Sequence, residues 1–386
     1  MSNSKLFHNL KVSGFLSFGP KGIDLPMEPL NVLIGPNGSG KSNFLEVFAL
    51  LKAATRDISD YLAREGGISD WLWKGPGDSD SITIDVTLDY PKNNMLHHSL
   101  TLADQGGLPV VTSEKIEPLV VHSGIENEPS YYRPVEKGCH SPYVEFTNNF
   151  RPGESILAFA AIENYRALDY LNNLYRKFYV YQSWSFGPRA GLRHPYDSHG
   201  RSEFLDDGPQ GPENLALVLS NIQGKDRRRF VTELQELLDD IVDITSPVTR
   251  GTVSLFLEER VGGQMPASRL SDGTLRYLCL LSILTHPKPP PFVAIDEPEL
   301  GLHPDAVAQI AELLVDASRR TQLVVTTHSR MLIDALSDYP SSVVVCEKHN
   351  GESRFERLDG KRLQSWLDKF SLGDLWGSGE LGGNRW

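Results

Sequence analysis

Apolar residues form short continuous runs near both ends of the chain, and these runs alternate with stretches of helical spacing. Near the N-terminus, "PLNVLI" is followed by "GPNGSGKS" and then by "NFLEVFALLKAA", whose apolar residues recur at helical intervals. Towards the C-terminus, "FVAID" and "LVVTTHS" alternate with the helical stretches "DAVAQIAELLVDASRR" and "MLIDALSDY". Fully apolar strands that alternate with helices are typical of a parallel sheet with both faces covered. The pattern therefore predicts an α/β fold with a mostly parallel sheet flanked by helices.

The middle of the chain has a different pattern. The segments "SITIDVTLDY", "HHSLTL", "LPVVTSEKI" and "PYVEFTNNF" alternate apolar and polar residues and are separated by Gly, Asn and Pro. This favours an antiparallel meander, and "HNLKVSGFLSFG" near the N-terminus alternates like an edge strand. Two helical stretches follow, "IENYRALDYLNNLYRKF" and one running from "NLALVLSNI" to "RRRFVTELQELLDDIV", with a Gly-, Pro- and Asp-rich loop at 183–212 between them. A hairpin at "GTVSLFLEERVGG" precedes the helix "RLSDGTLRYLCLLSIL".

These patterns predict one α/β domain that is interrupted by an insertion. We assign residues 1–55 to the first part of the core, residues 56–244 to an inserted β lobe with a helical lid, and residues 245–386 to the rest of the core. No segment sustains an apolar heptad repeat, so an extended coiled coil is not expected.

Composition narrows the classes of protein that fit. The chain of 386 residues is 40% hydrophobic and carries a formal net charge of −12, which disfavours coating nucleic acid through overall charge. Any DNA contact would therefore have to use local basic clusters, namely Lys225, Arg227, Arg228, Arg229, Arg319 and Arg320, although such runs are more often solvated helix ends. Three cysteines without metal-ligand spacing, and no signal-peptide or membrane-spanning run, predict a cytoplasmic protein without a membrane partner.

Residues 35–42, "GPNGSGKS", fit the pattern G-x-x-x-x-G-K-[ST] between a predicted strand and a predicted helix. Glycines let backbone N–H groups turn towards phosphates, and a helix N-terminus adds favourable partial charge. Lys41 is predicted to reach the β- and γ-phosphates of a nucleoside triphosphate, and Ser42 to hold Mg²⁺. A chance glycine-rich turn is the alternative, which the flanking elements disfavour. The predicted nucleotide-binding residues here are Gly35, Pro36, Asn37, Gly38, Ser39, Gly40, Lys41, Ser42 and Asn43.

Two carboxylates follow the apolar run 292–295, at the strand end where open α/β sheets place ligands. Asp296 is predicted to support the Mg²⁺, and Glu297 to polarise the attacking water as general base. Alone, the pair would also fit a solvated strand end. His328 ends another apolar strand at the same edge, in the position of a γ-phosphate sensor, although a lone histidine also fits a structural role.

The helix that begins within "RLSDGT" has a feature in its first turn that capping does not explain. Ser271 is a good N-cap and stabilises the helix by ~1 kcal/mol. Gly273, in the first turn, costs up to ~1 kcal/mol relative to alanine. A glycine there predicts a close approach to the backbone, and helix N-termini attract anions.

The ordered motifs "GPNGSGKS", "LSDGT", "AIDEPE" and "TTHS" resemble the ABC-type ATPase core of the RecF, SMC and OLD families. Within that group, "LSDGTLR", "DEPELGLHP" and the ending "LGDLWGSGELGGNRW" look most like compact bacterial ATPases related to OLD and Septu-type defence proteins. The resemblance covers residues 1 to about 50 and about 245 to 386 well, and the middle only in general layout.

The resemblance implies a head-to-head homodimer closed by two ATP molecules. Ser271 and Gly273 would then touch the γ-phosphate held by the other subunit's Lys41. Gln182, in "YVYQSWSFG", is a candidate for the glutamine that senses the metal and the water, with an ordinary surface glutamine as the alternative.

Two residues depart from the family pattern. Asp272 replaces the usual glycine, and a carboxylate 4 Å from a phosphate charge would cost ~4 kcal/mol at an effective dielectric constant of 20. We therefore expect Asp272 to turn towards helix N–H groups or a cation. His303, in "ELGLHP", lies where the resemblance places the dimer interface, and a role in subunit coupling is a hypothesis.

Three functions remain open from the sequence. The first is an ATP switch or clamp in DNA repair, recombination or anti-phage defence that acts with a separate effector chain, a nuclease or a toxin. The second is the nucleotide-binding subunit of a transporter, which the insertion of roughly 230 residues between Lys41 and Ser271 disfavours. The third is an ATPase with its own nuclease activity, for which the sequence shows no carboxylate cluster or His-Asn-His pattern.

Overall fold

We analysed a computed structural model of the chain, which describes residues 5–64, 66–77, 79–119, 130–133, 143–145, 151–158, 165–208 and 210–383. In chain order the strands are β1 (Phe7–Ser13), β2 (Ile23–Pro26), β3 (Leu30–Ile34), β4 (Ser81–Tyr90), β5 (Asn94–Gln105), β6 (Leu108–Leu119), β7 (Ser130–Arg133), β8 (Tyr143–Glu145), β9 (Phe178–Tyr181), β10 (Tyr196–Asp197), β11 (Ile241–Thr245), β12 (Val248–Thr249), β13 (Thr252–Val253), β14 (Phe256–Glu259), β15 (Gly263–Pro266), β16 (Phe292–Asp296), β17 (Gln322–Thr327), β18 (Val343–His349) and β19 (Glu352–Arg357). The helices are α1 (Lys41–Ala53), α2 (Ile58–Ala63), α3 (Ile68–Trp71), α4 (Arg166–Tyr175), α5 (Leu215–Asn221), α6 (Gly224–Leu237), α7 (Asp272–Leu284), α8 (Pro304–Ala317), α9 (Arg330–Asp334), α10 (Gly360–Leu367) and α11 (Leu372–Gly377).

The central sheet has six strands in the order β19-β18-β3-β17-β16-β9. The neighbouring pairs from β18 to β9 are parallel, and β19 pairs with β18 antiparallel. Every residue of β3 and β17 is buried, because both faces of the sheet are covered. Since parallel strands end at the same edge, the residues that follow β3, β9, β16 and β17 all lie along one edge of the sheet.

A second sheet has seven strands in the order β2-β1-β4-β5-β6-β7-β8. Its pairs are antiparallel from β2 to β7, and β7 pairs with β8 in parallel. Strand β4 alternates buried and half-buried residues, which is the pattern of a sheet with one covered face. The meander β4-β5-β6 agrees with the alternation in the sequence.

Two hydrophobic clusters cover the faces of the central sheet. One contains apolar residues of α5, α6, α7, α8 and α9. The other contains those of α1, α4 and the seven-stranded sheet. Between α1 and the sheet, the rings of Phe7, Phe48, Phe178 and Phe292 lie with centroids 4.3 to 5.5 Å apart. Aromatic contacts of this kind hold α1 in one position against the sheet, and the preceding glycine loop is positioned with it.

Several local expectations differ from the structure. Strand β1 lies between β2 and β4, so it is not an edge strand. The helical stretch from "NLALVLSNI" onward is divided into α5 and α6, because the backbone becomes extended at Ile222 and Gln223. The hairpin expected at "GTVSLFLEERVGG" is formed by β14 and β15, and its second strand therefore lies mostly after that stretch. Parts of "PYVEFTNNF" and "IENYRALDYLNNLYRKF" lie outside the described residues.

The two large sheets do not follow the boundaries that we drew along the sequence. Strands β1 and β2 come from residues 1–55 but belong to the sheet of the β lobe, and β9 comes from the insertion but extends the central sheet. Two small three-stranded sheets, β10-β13-β12 and β11-β14-β15, complete the fold. Among the described helices, none is both long and apolar enough to cross a membrane.

Candidate nucleotide-binding site

The glycine loop between β3 and α1 has a backbone that side chains would obstruct. Gly35 has φ +150° and Gly40 has φ +99°, both on the positive side that favours glycine. A Cβ at Gly35 would lie 2.1 Å from the carbonyl oxygen of Cys346, and a Cβ at Gly40 would lie 2.2 Å from Ser353 Oγ. The two glycines are therefore required by close contacts with β18 and β19.

Serine hydroxyl groups hold the first turn of α1, directly after the glycine loop. Asn43 Nδ2 donates to Ser17 Oγ at 2.8 Å, and Ser353 Oγ donates to the same oxygen at 2.7 Å. Ser17 belongs to the turn after β1, and Ser353 to β19, so segments more than 300 residues apart fix one loop. No motif or pattern in the sequence marked Ser17 or Ser353.

Among the described residues, two polar groups in the loop have no anionic partner. Lys41 is 5% exposed, and its ammonium group donates to the carbonyl oxygens of Gly35 at 2.8 Å and Pro36 at 3.2 Å. Burial lowers the pKa of Lys41 below its ordinary value. Ser39 Oγ is buried and has no hydrogen-bond partner among the described residues. A buried cation and an unpartnered hydroxyl beside glycine N–H groups fit a phosphate chain.

Oxygen atoms suited to Mg²⁺ meet at the first turn of α1. Ser42 Oγ lies 3.2 and 3.4 Å from the two carboxylate oxygens of Asp296, which also accepts a hydrogen bond from Thr326 Oγ1. Gln182 follows β9, and its Nε2 donates to Glu46 Oε1 at 2.9 Å and lies 3.5 Å from the Ser42 carbonyl oxygen. Hydroxyl, carboxylate and amide oxygens are the ligands that Mg²⁺ prefers. The residues present therefore fit the ion, and the structure places Gln182 beside them.

Glu297 has an unusual backbone conformation at the end of β16. Its φ is +44°, in the left-handed region that costs a non-glycine residue ~1–2 kcal/mol. Its amide donates to the carbonyl oxygen of Thr326 at 3.2 Å and to Thr326 Oγ1 at 3.1 Å. Its Oε1 lies 3.4 Å from His328 Nε2, and each of the two side chains is about one-third exposed. Strain of this kind concentrates at functional sites.

The carboxylate of Glu299, a residue that no sequence motif assigned to the site, holds the backbone at His328. Glu299 Oε1 accepts hydrogen bonds from Thr327 Oγ1 at 2.5 Å and from the amide of His328 at 3.0 Å. Burial raises the pKa of Glu299. Burial, and next the nearby charge of Lys41, lower the pKa of His328, so its imidazole is neutral at pH 7. The only sequence signal for Glu299 was its place in "DEPE".

The residues at the N-terminus of α7 contact segments of the chain other than the glycine loop. Ser271 is the N-cap and accepts from the amide of Thr274 at 3.0 Å. Asp272 forms an ion pair with Arg193, a cation of the kind expected for it. Arg193 is 7% exposed and Asp272 is 67% exposed, so the pair itself adds little stability.

Arg193 nevertheless fixes the approach to α7. Its Nη1 donates to the carbonyl oxygens of Leu270 at 2.7 Å and Ala267 at 3.2 Å, directly before the helix. The close approach predicted at Gly273 also exists, but it is made within the chain. A Cβ there would lie 2.9 Å from the carbonyl oxygen of Gly301, in the segment between β16 and α8. Nothing in the sequence of the 183–212 loop marked Arg193.

His303 and three residues of the basic clusters make local contacts within the chain. His303 is the N-cap of α8, and its Nδ1 accepts from the amide of Asp305 at 3.3 Å. Arg227 pairs with Asp243, and Arg229 pairs with Asp316 at 2.7 Å. The guanidinium groups of Arg227, Arg229 and Arg320 therefore make contacts within the chain.

Solved structures with a similar fold are heads of SMC proteins. An SMC head bound to the C-terminal winged-helix domain of ScpA is 14% identical, with a TM-score of 0.58 over 92% of this chain and 99% of that chain. An SMC head with an extended coiled coil, bound to the C-terminal domain of ScpA derived from Pyrococcus furiosus, is 13% identical, with a TM-score of 0.56 over 94% and 99%. These likenesses confirm the α/β P-loop NTPase class that the sequence predicted.

Curated relatives are similar over a shorter stretch. ABC transporter A family members 12 and 3 of Arabidopsis thaliana are each 28% identical over 123 residues, which is 32% of this chain. The chain spans only 13% of the length of each transporter.

A family match covers more than half of the chain. The family described as "AAA domain, putative AbiEii toxin, Type IV TA system" matches residues 30–94 and 160–334, which include the glycine loop, α7 and the ends of β9, β16 and β17. The chain belongs to this AAA family, and its fold is that of the P-loop NTPase heads of ABC/SMC type.

Proposed function

We propose that this protein binds and hydrolyses Mg²⁺-ATP and uses the cycle to close and reopen a homodimer. The observation that carries the proposal is the convergence around Ser42. Asp296 contacts its hydroxyl, Gln182 lies beside its carbonyl oxygen, and Glu297 pairs with His328 at the same edge of the sheet. Four segments that are far apart in sequence thus supply the groups that phosphoryl transfer needs.

Each residue has a task that its contacts support. Lys41 exchanges its bonds to loop carbonyl oxygens for the β- and γ-phosphates, and Ser39 Oγ gains an acceptor. Ser42, Asp296 and Gln182 would hold Mg²⁺, which supplies positive charge against the phosphates. Glu297 orients the attacking water and takes its proton. His328, neutral at pH 7, has a single N–H, which would turn from Glu297 Oε1 to the γ-phosphate when ATP binds.

Replacing His328 by glutamine is expected to lower kcat for ATP hydrolysis by about 10- to 100-fold, because the γ-phosphate loses a positioned donor. The KM for ATP should change little, because Lys41 and the loop remain. Steady-state phosphate release measures both constants. His349→Gln is the matched control, since His349 also pairs with a glutamate, Glu347 at 2.9 Å, but lies outside these contacts. An unchanged kcat in His328→Gln would exclude the proposed role.

The dimer is supported by the surface at the start of α7. Ser271 and Asp272 are exposed, and the contacts of this turn are with Thr274, Arg193 and Gly301 rather than with the glycine loop. Helix N-termini attract anions. This exposed turn would therefore bind the γ-phosphate held by the other subunit. Binding energy that is gained only in the closed dimer makes ATP a switch.

A mixing experiment tests the shared sites. We expect Lys41→Ala and Ser271→Arg each to be inactive alone, because one lacks the loop lysine and the other blocks the start of α7. In a heterodimer of the two, one site combines an intact loop with an intact α7. An equal mixture should therefore regain about a quarter of the wild-type ATPase rate if subunits exchange freely in a two-fold dimer.

The control mixture is Lys41→Ala with Glu297→Gln. Glu297 and the loop of one site belong to the same subunit, so neither site of that heterodimer is complete and no rate should return. Rescue in the first mixture alone supports the shared site. The absence of rescue in the first mixture, with subunit exchange verified by light scattering of tagged subunits, would exclude it.

For the biological role we propose a cytoplasmic switch in DNA repair, recombination or anti-phage defence, with a separate effector chain. The resemblance to OLD- and Septu-type ATPases supports defence, and the two SMC heads were each solved with a domain of a second protein, ScpA. Because several basic residues make contacts within the chain, DNA contact would fall to others such as Lys225 and Arg228. We also propose that residues 56–244, apart from β9 and Gln182, which belong to the central sheet and its edge, act as the lobe and lid of this head.

A further inference from the structure

Arg276 has contacts that the ATP-binding motifs do not explain. It lies on α7, five residues after Ser271, and is 5% exposed. Its Nη2 donates to the carbonyl oxygen of Glu297 at 2.6 Å, and its Nε donates to that of Pro298 at 3.2 Å. We propose that Arg276 is a positioning residue that holds Glu297 in the conformation needed for catalysis. This inference rests on the proposed role of Glu297 as general base.

The backbone at Glu297 needs contacts on the peptide groups both before and after the residue. Its left-handed backbone is unfavourable for a residue with a side chain, so other contacts must maintain it. Thr326 accepts both hydrogen bonds of the Glu297 amide. Arg276 binds the carbonyl oxygen of the same residue. With the peptide groups before and after Glu297 both fixed, the direction of its Cα–Cβ bond is fixed as well.

An aromatic stack fixes the guanidinium group itself. Its central carbon lies 5.1 Å from the ring centroid of Trp184 and 5.8 Å from that of Phe186. The rings of Tyr181, Trp184 and Phe186 are stacked, with successive centroids 5.4 and 5.7 Å apart. Arginine suits this place because its planar group stacks on rings while its N–H groups bind carbonyl oxygens. The stack begins at Tyr181, the last residue of β9, and continues in the segment immediately after Gln182.

Arg276 thereby joins three parts of the site. Its helix begins at Ser271, its guanidinium binds the turn of Glu297, and its ring partners continue the segment of Gln182. In the proposed dimer, Ser271 contacts ATP bound to the other subunit. A shift of α7 on dimer closure would therefore reach the general base of its own subunit through Arg276.

The first test is the replacement of Arg276 by glutamine. We expect kcat for ATP hydrolysis to fall about 10- to 100-fold, because small displacements of a reacting group have effects of this size. The KM for ATP should stay within about threefold, since the loop contacts are untouched. Arg276→Lys should recover part of kcat, because an ammonium group keeps the charge but lacks the planar fork.

Arg320→Gln is the matched control. Arg320 also donates to two backbone carbonyl oxygens, those of Leu284 at 2.7 Å and His286 at 2.6 Å, at the other end of α7. Its loss should lower Tm as the Arg276 variant does, but leave kcat within about twofold when measured without nucleic acid. An equal fall of kcat in both variants, or an unchanged kcat in Arg276→Gln, would overturn the proposal.

The double variant Glu297→Gln/Arg276→Gln tests whether Arg276 acts through Glu297. In single-turnover assays it should be no more than about twofold slower than Glu297→Gln, because residues that act as a unit are not additive. Multiplied losses would contradict the inference. Normal turnover in Glu297→Gln would reject the general base and the inference together, whereas an inactive Glu297→Gln with a normal Arg276→Gln would reject the role of Arg276 alone.

Discussion

Replacing Lys41 by alanine is expected to abolish ATP binding at micromolar nucleotide concentrations. A charged hydrogen-bond donor to phosphate contributes up to ~3 kcal/mol, which corresponds to about a 100-fold loss of affinity. The nucleotide-free protein should not be destabilised through the charge. The pKa of Lys41 is lower in the folded chain than in the unfolded chain, so below that lowered pKa the ammonium group opposes folding.

Lys52→Ala provides the control for this prediction. Lys52 lies on the same helix α1, but it pairs with Asp207 at 2.6 Å, away from the glycine loop. Isothermal titration with Mg²⁺-ATP and the shift of Tm by the nucleotide should show binding in Lys52→Ala and none in Lys41→Ala. Comparable binding in the two variants would mean that the loop is not the nucleotide site.

Replacing Glu297 by glutamine is expected to lower kcat by about 100- to 10,000-fold, because the side chain no longer accepts a proton from water. The amide keeps the size of the carboxylate, so ATP should still bind and hold the dimer closed. Light scattering after gel filtration should then show an ATP-dependent dimer that persists for far longer than in the wild type. The control is Glu312→Gln, an exposed position on α8 that should behave as wild type.

The trapped protein also tests the biological role. Used as bait in its own host, Glu297→Gln should retain DNA or an effector chain that Lys41→Ala does not retain. Normal turnover by Glu297→Gln would remove the general base from the mechanism. A trapped dimer that captures no specific partner over the Lys41→Ala control would count against a switch that acts on an effector.

Much of the proposed nucleotide site was predictable because its signals are local. The loop at residues 35–42 needs glycines where side chains would meet the oxygens of Cys346 and Ser353, and those glycines stand in the sequence next to the lysine and serine they serve. Asp296 and His328 could be located because a buried parallel strand is a continuous apolar run, and its end marks the edge of the sheet. The rule that parallel strands end at one edge then brought distant motifs together.

The residues that hold the site were not predictable in this way. Arg193, Arg276 and Glu299 act on backbone groups of segments far away in sequence, and a contact with a carbonyl or amide imposes no residue type on its partner. The same holds for Gly273, where the sequence indicated a close approach but only the structure shows the carbonyl oxygen of Gly301 as the neighbour. The place of β1 between β2 and β4 also depends on pairing with residues 81–90.

The sequence by itself thus determined the fold class, the glycine loop and the acidic strand end, because periodicity and motif spacing act over a few residues. The tertiary structure decided that Gln182 lies beside Ser42, that Asp272 pairs with Arg193, and that the chain holds Glu297 through its backbone carbonyl oxygen. Those contacts arise only when packing brings separate segments together, and a backbone carbonyl leaves no mark in the sequence of the residue that carries it.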